Sequence, residues 1–261
     1  MEVTLRPKNI IVVGGGGGIG LAIVRKLLSG GAETIVIASR NSVKNEKTIA
    51  DLEVNENQSV YNVRFDIADV SSHNGFIEEV NNLIGKKVDG LVISSGVNFD
   101  GSNWKGFNVS EQDWDKVMNI NLKGPFFLLR NFANYLYEKN IKGNICVVSS
   151  ISAHRDLLSV YQISKHSLSR IVNAYGKYLC ERGVVLNAVE PGPIHTEMMQ
   201  WLGKYTDGVR PGEPWPDSSI KRLVRAEEVA EVVYFLMSNL GETMSGDCIV
   251  VAGGTKSIFP I

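Results

Sequence analysis

Tyr161 and Lys165 stand four residues apart and follow the serine pair Ser149-Ser150. On a helix this spacing puts both side chains on one face, a turn apart. A phenol with its ordinary pKa of about 10 exchanges protons poorly at neutrality. A fixed ammonium beside it favours the phenolate, and each unit of lowering corresponds to about 1.4 kcal/mol. The residues therefore predict a tyrosine tuned downward by Lys165, able to protonate a carbonyl oxygen or to take a proton from an alcohol. A nearby serine hydroxyl would hold the same oxygen. Ser150 is the expected one, because on an extended strand end Ser149 points to the opposite side. Ser149 and Ser152 are the alternatives. Such proton chemistry needs a hydride carrier.

The carrier's site is expected near the N-terminus. Asn9-Ile10-Ile11-Val12-Val13 reads as a short buried strand, followed by Gly14-Gly15-Gly16-Gly17-Gly18-Ile19-Gly20 and a helical stretch over 21–28. Glycines at Gly14, Gly18 and Gly20 permit a tight turn, bring backbone N–H groups close to phosphate and let helix pack on strand. The helix N-terminus adds unpaired N–H groups and partial positive charge for a pyrophosphate. Glycine runs also occur in flexible linkers. A position between a buried strand and an amphipathic helix favours the nucleotide loop.

The spacing Gly14-x-x-x-Gly18-Ile19-Gly20 departs from the G-x-G-x-x-G fingerprint and resembles the short-chain dehydrogenase/reductase family, whose usual form is T-G-x-x-x-G-I-G. The resemblance runs along nearly the whole chain. Asp66-Ile67 is similar to the family's adenine-contacting segment after the third strand, and Asn121 in Asn121-Leu122-Lys123-Gly124 to its helical catalytic Asn. Ser150, Tyr161 and Lys165 match the catalytic Ser and the Y-x-x-x-K pair. Asn187-Ala188-Val189-Glu190-Pro191-Gly192-Pro193-Ile194-His195-Thr196 resembles the N-x-x-x-P-G-x-I-x-T segment beside the nicotinamide, which implies cofactor contacts at Pro191, Gly192, Ile194 and Thr196. Ser245-Gly246 and Ala252-Gly253-Gly254 resemble the C-terminal strand and its end. The resemblance further implies that Lys165, with Tyr161, contacts the nicotinamide ribose and that Asn121 holds a water leading to Lys165. It also implies homodimers or homotetramers with two-fold interfaces. There are three departures. Val13 replaces the usual Thr, Ile93-Ser94-Ser95-Gly96 stands where N-N-A-G is usual, and the segment from Ser150 to Tyr161 is short.

These residues must be brought together by their elements. Apolar strand-like runs at 10–13, 34–38, 60–65, 90–94, 144–148, 184–189 and 248–251 alternate with helical segments at 19–28, 44–55, 73–84, 111–137, 162–181 and 226–237. The alternation predicts an α/β fold, a Rossmann-type doubly wound parallel sheet of about seven strands with helices on both faces. Right-handed crossovers put the strand C-terminal ends, with Gly14, Ser39, Asp66, Gly96, Ser150 and Pro191, along one edge. No repeat or low-complexity linker divides 1–261, so one dinucleotide-binding and catalytic domain is expected. The long irregular segment 193–217, with Pro211, Pro214, Pro216, Trp201, Tyr205 and Trp215, is expected to be a substrate lid, the plain alternative being a surface excursion or an oligomer contact. Phe126, Phe127 and Tyr175 look like apolar surplus on helix faces, as an oligomer interface would need.

Cofactor choice rests on Ser39-Arg40-Asn41. An acid at the end of the second strand would bind ribose hydroxyls and repel a 2′-phosphate. Ser39 occupies that place and Arg40, whose planar fork suits phosphate, follows it. NADP(H) is favoured over NAD(H). The substrate is expected to be a small carbonyl compound or alcohol. A 3-oxoacyl-carrier-protein reductase and a non-catalytic dinucleotide sensor are the competing readings.

Composition excludes other classes. The 27 basic and 28 acidic residues leave a net charge of −1, with no general attraction to nucleic acid or anionic membrane. No apolar run approaches the ~20 residues of a membrane span. Met1 to Lys8 lacks a signal-peptide core, so a cytoplasmic enzyme is expected. Cys146, Cys180 and Cys248 show no C-x-x-C pair and read as buried free thiols. His73, His154, His166 and His195 have no metal-ligand spacing, so no catalytic metal is expected.

Overall fold

A computed structural model describes residues 2–98, 108–155, 159–194 and 218–255. Seven strands form one sheet: β1 (Asn9–Val13), β2 (Thr34–Ser39), β3 (Ser59–Arg64), β4 (Gly90–Ile93), β5 (Gly143–Val148), β6 (Val184–Pro191) and β7 (Cys248–Val251). All pairings are parallel, in the order β3-β2-β1-β4-β5-β6-β7. The order reverses between β1 and β4, and in such sheets the crevice beyond the strand C-termini at this switch receives ligands.

Near-continuous apolar strands are what a sheet buried on both faces requires. Alternate strand residues serve opposite layers. Ile11, Val36, Leu91 and Ile145 pack with α3 (His73–Ile84), α5 (Gly124–Glu138) and α6 (Val160–Cys180). Ile10, Val12, Ile35 and Ile37 pack with α1 (Gly18–Ser29) and α7 (Ala226–Leu236). Side chains buried this fully contribute roughly 1.5–3 kcal/mol each. The remaining α-helices among the described residues are α2 (Ser42–Ala50) and α4 (Glu111–Met118).

The strands and α3 fall where the apolar runs place them. The expected helix over 111–137 is instead divided. Between α4 and α5 the backbone widens into a π-turn, Asn119–Lys123. Pro125 has no N–H to return to the carbonyl of residue 121, so a regular α-ladder cannot run through this point. Gly124 also lies against the Ile67 carbonyl so closely that a Cβ would come within 2.1 Å of its oxygen.

The thiols partly depart from expectation. Cys146 is buried and Cys248 half-buried, both pushed up to about 12 by burial, whereas Cys180 is exposed on the last turn of α6. All three are free. Phe126 and Tyr175 are half-buried, and Phe126 sits edge-on to both Phe127 and Tyr175. Much of this aromatic surface is therefore satisfied within the chain. Apart from Pro193 and Ile194, the proposed lid lies outside the described residues.

Helix α6 carries both Tyr161 and Lys165, so its seating sets their position. Ser159 caps it by accepting from the Gln162 N–H at 3.2 Å. Farther along, Gly176 meets the turn before β7, where an added Cβ would lie 2.2 Å from the Gly246 nitrogen. Gly176→Ala must therefore shift helix or turn. We expect a loss of about 1–3 kcal/mol, as for other overpacked sites, read as a lower thermal midpoint; unchanged stability would mean that the seating is loose.

Candidate active site

β5 delivers the two serines, and they do point apart. Ser149 Oγ donates to the Lys165 carbonyl at 3.2 Å and lies 2.8 Å from Ser169 Oγ, under α6. Ser150 Oγ accepts from the Ser152 N–H at 3.1 Å and approaches the Tyr161 phenol closely enough to favour its ionised form. Of the three candidate serines, it is therefore Ser150 that reaches the phenol.

Tyr161 and Lys165 share a face, as their spacing requires, but the electrostatics differ from the expectation. Burial pushes the Tyr161 phenol above its ordinary value, with the Ser150 hydrogen bond and the Arg155 charge opposing. Lys165 does not pull it down. Its Nζ is turned to the β5 backbone, donating to the Val148 carbonyl at 3.0 Å, and lies 5.9 Å from the Tyr161 ring centre. Burial lowers Lys165 itself to about 8, because desolvation penalises an ammonium whose hydrogen-bond partner among the described residues is a neutral carbonyl.

Asn121 is fully buried within the π-turn. Its Oδ1 accepts from the Val97 N–H and its Nδ2 donates to the Val97 carbonyl, both at 2.9 Å. Nδ2 also lies 3.3 Å from Ser164 Oγ, which donates to the Tyr161 carbonyl at 2.7 Å. The side chain thus splints the segment after β4 to the first turn of α6, and none of these bonds reaches Lys165.

At the switch between β1 and β4 lies a cleft of about 630 Å³. Gly14, Gly18, Ile19, Gly20, Ser39, Arg40, Asp66, Ile67 and Gly96 all line it. Gly14 has φ +84° and approaches the Ser95 nitrogen, and a Cβ on Gly20 would lie 2.1 Å from the Gly14 carbonyl oxygen. Only glycine permits this fold-back of helix on turn. Helix α1 has no side-chain cap and no acid in its first turn, so its leading N–H groups face the cleft as anion donors. Arg40 is exposed on the wall, while the Ser39 hydroxyl donates to Asn45 Oδ1 at 2.9 Å. One Asp66 oxygen accepts from the Ala68 N–H at 3.0 Å.

Other predicted positions lie elsewhere. Pro191 ends β6, Gly192 donates its N–H to the Val251 carbonyl at 2.9 Å, and Ile194 is buried in a bridge with Val224. Thr196, His195, Trp201 and Trp215 lie outside the described residues. Sequence reasoning missed Asn45, a fully buried amide in the cleft wall that bonds Asn62 at 2.8 Å. A polar residue within a polar helix gives no signal of that role. It also missed Glu190, buried under α6 with Ser169 and His154 as partners.

The chain's comparisons with known proteins agree with this geometry. The family model described as short chain dehydrogenase matches residues 8–206. Dehydrogenase/reductase SDR family member 2, mitochondrial, from Homo sapiens is 32% identical over 256 residues, covering 93% of this chain and 84% of that one. The 3-oxoacyl-(acyl-carrier-protein) reductase FabG of Aquifex aeolicus (strain VF5) is 31% identical, covering 97% of this chain and 99% of its own. The crystal structure of gox2181 superposes with a TM-score of 0.85 at 26% identity, over 97% of each chain. No described helix is long and apolar enough to cross a membrane.

The buried Lys165 has a measurable consequence. Its proton is held less tightly in the folded protein (about 8) than at the ordinary value of 10.5. Below pH 8 both folded and unfolded chains carry that proton, and folding bears the full cost, roughly 3 kcal/mol from the shift. Between pH 8 and 10.5 the folded lysine becomes neutral first and the cost disappears. Lys165→Met should therefore be at least as stable as the wild type at pH 7, with that relative advantage falling as pH rises through this window. Denaturant unfolding of both proteins against pH checks it, and a stability difference independent of pH would contradict the assignment.

Proposed function

The chain belongs to the short-chain dehydrogenase family, and from that premise we propose that it interconverts a ketone or aldehyde and the corresponding alcohol by hydride transfer, with NADP(H) as carrier and Tyr161 as general acid and base. The observation that carries this reading is the approach of Ser150 to the Tyr161 phenol, with Lys165 buried one turn farther along the same helix.

The cleft fits a dinucleotide. The N–H groups of Gly18, Ile19 and Gly20 would hold the pyrophosphate beside the close turn at Gly14. Asp66 and Ile67 would flank the adenine, Gly96 the middle of the molecule, and Pro191, Gly192, Ile194 and Thr196 the nicotinamide end. Arg40 favours a 2′-phosphate, and at the end of β2 the Ser39 hydroxyl, already committed to Asn45, stands where a carboxylate would repel one. Bound there, a reduced nicotinamide supplies hydride to a carbonyl carbon. Tyr161 gives its proton to the oxygen that becomes alkoxide, and burial suits this by keeping the phenol protonated beforehand. Ser150 orients that oxygen and stabilises its developing charge. Lys165 fixes the local positive potential and would meet the ribose, while Asn121 holds the segment that carries Val97 and, through Ser164, the start of α6. Two-fold association through the faces of α4, α5 and α6, where Trp114 is exposed, completes the reading as a homodimer or homotetramer.

Turnover of NADPH should be followed across small ketones, sugars, polyketides and a 3-oxoacyl thioester, the last testing the activity in the name of the Aquifex relative. Consumption with none of them, by a protein that binds NADPH, would favour a dinucleotide sensor. Tyr161→Phe should lower kcat by at least ~10²-fold, as loss of a positioned acid does, with the NADPH dissociation constant nearly unchanged. Near-normal turnover by that variant would refute the mechanism.

Arg40→Glu should weaken NADPH by about 1.5–3 kcal/mol, the worth of charge-assisted hydrogen bonds, and leave NADH much less affected. Titration of both reduced cofactors into wild type and variant decides this. A wild-type preference for NADH would overturn the cofactor assignment.

A further inference from the structure

Glu190 is a carboxylate with no exposure, set in a strand whose neighbours Ala188 and Val189 are apolar. Burying an ion costs several kcal/mol unless its oxygens are well partnered. Both are. Oε1 accepts from Ser169 Oγ at 2.6 Å, and Oε2 lies 2.5 Å from His154 Nε2. With its own proton given to Glu190, Ser169 Oγ can only accept from the Ser149 hydroxyl 2.8 Å away, which divides its one proton between Ser169 and the more distant Lys165 carbonyl. One carboxylate therefore reaches both ends of the segment from Ser149 to His154, through a serine at the first and directly at the last.

The segment between those ends is the turn that carries Ser150. Its internal bonds are local: the Ser152 N–H to Ser150 Oγ at 3.1 Å and the Ala153 N–H to the Ser150 carbonyl at 3.0 Å. Such bonds shape a turn without fixing it to the body of the protein. The Ser149 backbone is tied to β6 by its N–H to the Val189 carbonyl at 2.8 Å, and the rest of the anchoring comes from the Glu190 pair and from His166, whose Nδ1 lies 2.8 Å from the Ala153 carbonyl. A proton path is a poorer account of the network, since Ser149 bonds the backbone carbonyl of Lys165 and not its ammonium. We propose that Glu190 is a positioning residue, which clamps both ends of the Ser149–His154 turn and so holds the Ser150 hydroxyl against the Tyr161 phenol, with His154 as its partner. The proposal rests on the reading of Ser150 as the serine that acts on the reacting oxygen.

Two readouts separate the clamp from that reading. Amide hydrogen exchange needs no substrate. In Glu190→Leu and in His154→Ala, exchange at Ser152 and Ala153 should quicken by about tenfold or more through local opening, with α1 unchanged. The half-exposed His154 keeps the test available if Glu190→Leu folds poorly. Turnover is then measured with NADPH and diacetyl, or with the best carbonyl of the panel. Glu190→Leu should lower kcat on the order of 10²-fold, the usual effect of slight misplacement, with NADPH affinity unchanged. In a Ser150→Ala background it should do nothing further, because both changes act through one hydroxyl. Glu190→Gln should recover most of the rate: its oxygen accepts from Ser169 while its N–H donates to the other tautomer of His154. If Ser150→Ala alone turns over normally, the catalytic reading of Ser150 fails and exchange alone decides the clamp. Unchanged exchange, equal slowing in both backgrounds, or a Glu190→Gln as slow as Glu190→Leu would overturn the clamp itself.

Discussion

Seven strands running the same way oblige the chain to return across a face of the sheet after each one, so every strand ends on the same edge. The glycine turn after β1, Ser39 and Arg40 after β2, Asp66 after β3, Gly96 after β4, the serine pair after β5 and Pro191 at the end of β6 are neighbours for that reason alone. Loops can then carry chemistry while the apolar strands beneath them carry stability. The order reversal between β1 and β4 opens the edge at one place, and the cleft lies there. Helix α6 is the exception to the pattern: Tyr161 and Lys165 come from the start of a crossover, so the active edge depends on how that helix is seated.

The seating is polar where apolar contacts would be cheaper. Between α6 and the strands lie Lys165, Ser149, Ser169, Glu190 and Ser164, all buried. Each hydroxyl or charge there has a named partner, and none of these is a group that a hydrophobic core would select. Lys165 is the most costly, because its ammonium faces a neutral carbonyl and no carboxylate offsets its burial among the described residues. Such an arrangement trades stability for fixed direction: a satisfied polar network has one geometry, whereas packed apolar side chains tolerate several.

Much of this was readable from residue types. The strands announced themselves as β-branched apolar runs, the cleft as glycine between strand and helix, and the Tyr161–Lys165 pair through its helical spacing. What escaped reading depended on contacts distant in sequence. Pro125 marks a break in the helix, but the close contact of Gly124 with the Ile67 carbonyl at the π-turn is made by residues far apart in sequence. Asn121 presents an amide to either water or backbone, and only the fold brings Val97 to it. Glu190 sits in a motif whose other residues drew the attention, and its partners lie 21 and 36 positions away. The direction of the Tyr161 shift failed for a similar reason. Spacing gives proximity to Lys165 but not the carbonyl toward which the ammonium turns.

That reversal bears on how the pair would work. A phenol held protonated and an ammonium lowered to about 8 are both disfavoured as ions by the same desolvation. Ions of opposite sign in a shared low-dielectric space stabilise one another, so their titrations are coupled. Removing the Tyr161 proton would leave a negative charge that raises the affinity of Lys165 for its own proton. A charged Lys165 would, in turn, make that removal easier. On the proposed mechanism, Tyr161 would start in the reducing direction as the acid that burial favours, and the phenolate left after transfer would be the species a charged Lys165 stabilises. In the oxidising direction the same coupling would make the phenolate accessible as a base, most readily while Lys165 remains protonated. Any stabilisation of the phenolate by Lys165 would thus have to come from a different placement of the ammonium, which the resting structure turns toward Val148.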